Sequence, residues 1–229
     1  MMLFDPLYLI IMGVGFVLSL AAQAWVKASV SKWSDVATSK GMTGRDVAQA
    51  ILRREGIGDV TIEPVQGFLS DHYDPSSRTL RLSPDIYNGR SVAAAGIAAH
   101  EVGHAIQHKE GYWPMKVRQK MVPVANIGTN LGMIMVVLGL IVGFAGLAKL
   151  GVLLFGGFVL FTLVTLPVEF DASRRAHRIL VDGAMVRGEE AKGVASVLTA
   201  AAATYVASAV TAILQLVYFA LRARVLGDD

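Results

Sequence analysis

The chain has no cysteine, so disulfides, thiolate metal ligands and a thiol nucleophile are all excluded. It is also short of charge: 17% of its 229 residues are Asp, Glu, Lys or Arg, against roughly 25% in an average soluble domain. The shortage is uneven, because residues 124–167 hold a single charged side chain, Lys149. No cation precedes the first apolar run, which follows Met-Met-Leu-Phe-Asp-Pro. A cleaved signal peptide would need a basic segment there, so a retained anchor is expected. Histidine is scarce too, with five in all, and their placement therefore carries information.

What is present is apolar: 54% hydrophobic residues and a mean hydropathy of +0.52. The net charge of +3 comes from cations lying between apolar runs rather than in one basic patch. That is the pattern of a protein anchored by positive charge at a membrane face, and no nucleic-acid partner is expected.

Four apolar stretches stand out: 7–26, the pair within 124–167, and the alanine-rich 194–221. Each approaches the roughly 20 residues needed to cross a bilayer. Gly146-Leu-Ala-Lys149 reads as the tight connection inside the second and third. With the N-terminus outside, 27–120 and 168–192 fall on the cytoplasmic side with most of the cations. Arg222 and Arg224 favour the same side, in conflict with a complete fourth span.

The polar segment 27–120 has local signals of its own. Thr43-Gly-Arg-Asp46 has the spacing of a capping box before an apolar stripe of Val47, Ala50, Ile51 and Leu52. Asp74-Pro-Ser-Ser77 followed by alternating Leu80 and Leu82 predicts a β-hairpin. Ser91 is a helix cap, and Gly111 a stop, for a helix through 92–108.

That helix carries Ala-Ala-His100-Glu101-Val-Gly-His104-Ala-Ile-Gln-His108. Residues four apart lie on one helical face, so His100 and His104 can bind one ion. Zinc suits two such imidazoles plus a third protein ligand, with water in the remaining position. Glu101, one residue on, is placed to act as general base towards that water. A third ligand is best sought in Leu166-Pro-Val-Glu169-Phe-Asp171. Glu169 is the expected ligand, and Asp171 the expected hydrogen-bonding orienter of a histidine. His72 is a candidate to bond a tetrahedral oxyanion. His108 is expected at the helix end, His177 in a structural role, and Arg174 and Arg175 as membrane-face anchors.

The run 91–107, with Leu69-Ser-Asp-His-Tyr-Asp-Pro75 and Pro167-Val-Glu-Phe-Asp-Ala-Ser173, resembles the YugP-like family of bacterial membrane-bound neutral zinc metallopeptidases. That family is similar in plan to the HtpX-type and CAAX-prenyl membrane proteases. The resemblance implies His100, His104 and Glu169 as ligands of one Zn2+ per chain, and Glu101 as the base. It departs from the related proteases at position 173, where a serine stands four residues after Glu169 instead of an aspartate.

The expected fold is thus a mainly α integral membrane protein, with three to four transmembrane helices and a small α+β zincin-like domain on the cytoplasmic side of the cell membrane. Its expected partners are the lipid bilayer and a protein or peptide substrate, misfolded or membrane-associated. An extended peptide is expected to pair with Arg78, Thr79, Leu80, Arg81 and Leu82. Two other readings stay open. One is a site-2-type intramembrane protease, with Asp182 of Leu180-Val-Asp-Gly183 as third ligand. The other is a zinc-stabilised scaffold or chaperone without catalysis.

Overall fold

In the computed structural model, which describes residues 5–228, helices dominate and one small sheet interrupts them. The order is α1 (Pro6–Ser34), α2 (Gly44–Arg54), β1 (Thr61–Pro64), β2 (His72–Asp74), β3 (Thr79–Leu82), α3 (Pro84–Asn88), α4 (Val92–Glu110) and α5 (Trp113–Ile127). A π-helical turn (Gly128–Gly132), α6 (Met133–Val142), α7 (Ala145–Asp182) and α8 (Glu189–Asp228) complete it. Among the described residues four helices, Pro6–Ser34, Trp113–Val142, Ala145–Asp182 and Glu189–Gly227, are long and apolar enough to cross a membrane.

The chain divides into two compact units. One comprises the chain up to Ala22, Pro114–Pro167 and the chain from Thr204. Its buried side chains include Val136, Phe155, Val159, Tyr218 and Phe219. Here α6 and α7 pack through small residues: a Cβ on Gly151 would lie 2.7 Å from the Gly132 carbonyl oxygen. The turn between them is Gly143-Phe144, not the expected 146–149, whose residues are already helical.

The other unit, Gln23–Trp113 with Val168–Ala203, holds every candidate site residue. Its elements begin and end on local chemistry. The Thr43 hydroxyl accepts the Asp46 N–H at 3.1 Å, and the Asp46 carboxylate accepts the Thr43 N–H at 3.0 Å. This reciprocal cap starts α2, whose Val47, Ala48, Ile51 and Leu52 are buried one turn apart. The Ser91 hydroxyl caps α4 by accepting the Ala94 N–H at 3.1 Å. Gly111, left-handed at φ 67°, ends it, a conformation that costs glycine little. The core joins these helices to Leu80 and Leu82 of β3, Ala176 and Leu180 of α7, and Val194 and Leu198 of α8.

The predicted hairpin forms between β2 and β3, with His72 opposite Arg81 and Tyr73 opposite Leu80. Asp74 closes it by accepting the Ser77 hydroxyl at 2.7 Å and the Ser76 N–H at 2.9 Å. Those donors push its pKa down to about 2. One expectation is overturned here. The strand order is β1-β3-β2, with β1 parallel to β3, so both edges of Thr79–Leu82 are already hydrogen-bonded. Arg78 lies outside the strand, in a left-handed turn conformation. The segment Arg78–Leu82 therefore cannot receive a peptide strand; in this sheet the unpaired edges belong to β1 and β2.

Helix α7 runs unbroken through Pro167, so Glu169 sits within a helix and not beyond the end of one. It is brought against α4 by Gly103. A Cβ there would stand 2.8 Å from the Ala172 carbonyl oxygen and 3.1 Å from its Cα. Gly103→Ala is therefore expected to push α7 from α4 and to destabilise the metal-free protein by about 1–3 kcal/mol, the usual range for overpacking. A thermal unfolding midpoint equal to wild type would show that the close approach is not needed.

Candidate metal centre

An imidazole coordinates through the nitrogen that carries no proton, so a site needs both aimed side chains and controlled tautomers. His100 and His104 project from successive turns of α4, their rings 4.8 Å apart and nearly perpendicular. Glu169 of α7 meets them: its Oε2 lies 3.2 Å from His100 Nε2 and 3.6 Å from His104 Nε2. The ligand atoms of the three residues all lie within 4.8 Å of one another. Three donors each about 2.1 Å from a tetrahedral ion would be about 3.4 Å apart. The observed spacing and the N,N,O donor set fit zinc.

The other ring nitrogens have partners. Gln107 is fully buried, and its Nε2 donates to the Val168 carbonyl at 2.8 Å and to Asp171 Oδ2 at 2.8 Å. Its Oε1 stands 3.0 Å from His104 Nδ1. The Ser173 hydroxyl stands 3.1 Å from His100 Nδ1. Behind Asp171, Arg175 donates its Nε to Oδ2 at 2.6 Å and its Nη1 to Glu110 at 2.7 Å. Burial pushes the His104 pKa down, but hydrogen bonding and charge from Glu169, then the Glu101 charge, raise it above the usual value overall. A positive charge on His104 is thus favoured beside Glu169.

Glu101 is 8% exposed and occupies the position after His100 on the same helix. Asp71, just before β2, accepts the Ser83 N–H at 2.7 Å. Burial raises its pKa, and the Glu101 charge adds to that effect.

A scan against family models matches residues 8–224 to the family described as "putative neutral zinc metallopeptidase". The chain belongs to this family. A relative in Bacillus subtilis (strain 168), named "putative membrane protease YugP", is 45% identical over 204 residues, covering 89% of this chain and 91% of that protein. No solved structure matches.

Within this family member, the structure brings His100, His104 and Glu169 together. Asp171 was expected to bond a histidine; its carboxylate instead bonds Gln107, which bonds His104. Ser173, read as a departure, fills the place of a histidine partner through its hydroxyl. Asp182 is excluded from this donor set: it is exposed at the end of α7, thirteen residues beyond Glu169 and so about 20 Å along the helix. His108 bonds the Tyr73 hydroxyl at 2.9 Å, and His72 Nδ1 donates to the Ser70 carbonyl at 2.8 Å. His177 and Arg174 line a cavity of about 350 Å³ between α7 and α8, whose wall also includes Ser173. Gln107 went unread in the sequence. Its signal was its position, three residues after His104, where a helix turns the same face again.

Proposed function

We propose that this chain is a membrane-anchored zinc endopeptidase, with its site facing the cytoplasm and its N-terminus outside. The observation that carries the reading is the convergence of His100, His104 and Glu169 one residue from Glu101. Zinc, when bound, supplies Lewis acidity towards a water and towards the scissile carbonyl. Glu101 then does the proton work: its carboxylate accepts the proton of the attacking water and returns it to the leaving amine. An extended peptide adds to the unpaired edge of β2, a strand packed against α4, where main-chain hydrogen bonds hold it without a demand on sequence. His72 lies on that strand with Nδ1–H given to Ser70, which leaves Nε2 to face substrate; it donates to an oxyanion only in its protonated form. The expected substrates are unfolded or membrane-associated proteins.

The test uses full-length protein in vesicles with an unfolded membrane protein as substrate. Cleavage that stops on chelation and returns with zinc is expected. Cleavage that survives chelation would remove zinc from the reaction. A zinc-loaded protein that cleaves none of a broad set of unfolded substrates would point instead to a scaffold.

A further inference from the structure

The Gln107 carboxamide can sit in only one sense. Its Nε2 faces two acceptors at 2.8 Å, the Val168 carbonyl and Asp171 Oδ2. A flipped amide would put oxygen against both, unsatisfied in a place where Gln107 has no exposure to water. Its Oε1 must therefore face His104 Nδ1, and at 3.0 Å an oxygen there accepts a hydrogen bond. Nδ1 then carries a proton in the neutral and the charged ring alike, so Nε2, on the side of Glu169, is the nitrogen left to give up its proton to a metal.

The chain of constraints extends outward. Asp171 Oδ2 receives both Gln107 Nε2 and Arg175 Nε, and Arg175 is held in turn by Glu110 and lies 5.9 Å over the Tyr112 ring. Arg175 is only 16% exposed in its side chain. A charge-assisted pair at 2.6 Å in that setting fixes the carboxylate more firmly than a neutral bond would.

We infer that Gln107 and Asp171 are positioning residues that keep a proton on His104 Nδ1, so that Nε2 is the nitrogen freed for metal. The inference rests on the zinc reading of His100, His104 and Glu169, and adds the means by which one ligand is held ready. With Asp171 removed, the Gln107 amide loses one of its two acceptors. It can then turn its N–H towards Nδ1, which moves the proton of His104 to the nitrogen that should bind zinc. His100 has a weaker version of this control, since the Ser173 hydroxyl can donate as well as accept.

The test compares wild type, Asp171→Ala and Asp171→Asn as full-length protein. Zinc affinity is read by competition with a chromophoric chelator. The His104 tautomer is read from imidazole nitrogen-15 shifts of the metal-free protein, at a pH where the ring is neutral. Asp171→Ala is expected to weaken zinc binding about 10–100-fold, the usual effect of losing a ligand's hydrogen-bonding partner, and to mix the tautomers. Asp171→Asn keeps an oxygen that Arg175 holds towards Gln107, so it should stay near wild type in both readouts. Equal losses in the two variants would show that charge, not orientation, is what Asp171 supplies. A pure Nδ1–H tautomer with unchanged affinity in Asp171→Ala would overturn the lock. Wild type that shows the Nδ1–H tautomer yet takes up no zinc would support the lock and sink the zinc reading.

Discussion

Glu101→Gln is expected to slow peptide cleavage by about 10²–10⁴-fold, the range for loss of a general acid–base group, with zinc content unchanged. The amide matches the carboxylate in size, so the packing of a side chain that is 8% exposed survives. What it lacks is a site for the proton of the attacking water. His100, His104 and Glu169, which hold the ion in this reading, are untouched. The paired measurement is cleavage of an unfolded membrane protein and zinc per chain on the same preparation. Cleavage at the wild-type rate would remove Glu101 from the chemistry. Loss of zinc along with activity would show that Glu101 serves the metal site rather than the water.

Glu169→Ala is expected to weaken zinc binding by roughly 10²–10³-fold. Structural zinc sites bind with about 10–16 kcal/mol, so one of four ligands accounts for about 2.5–4 kcal/mol, and each 1.4 kcal/mol is tenfold. The same exchange at Asp182 should leave affinity at the wild-type level, because that exposed residue lies about 20 Å further along α7. Chelator competition on the two variants separates the cases. If Asp182→Ala sheds zinc while Glu169→Ala keeps it, the donor set drawn here is wrong and a site-2-type arrangement replaces it.

Much of this protein is legible in short stretches of its sequence, and the reason is range. The cap at Thr43–Asp46, the cap at Ser91, the stop at Gly111 and the turn at Asp74–Ser77 are each closed by hydrogen bonds within a few residues. The alignment of His100 with His104 follows from helical geometry alone. The long apolar runs likewise announce helices able to cross a membrane, since length and composition suffice for that.

The remainder depends on contacts between distant residues, which have no local periodicity to read. Inserting β1 beside β3 closed the strand that the hairpin pattern had left open to a peptide, and moved the unpaired edge to β2. Helix α7 passing through Pro167 turned an apparent span end into a continuous face carrying Glu169, Asp171 and Ser173. Gly103 looked like a small residue in a small-residue helix; only the approach of Ala172 shows what its missing side chain permits. Gln107 is the clearest case. By itself it is one more polar residue after a histidine motif, but a carbonyl and a carboxylate more than sixty residues away leave its amide a single orientation. The sequence alone determined that His100 and His104 share one helical face, because helix pitch sets that. The tertiary structure decided which of them meet and how each ring is held, because burial forces every polar group there to find a partner.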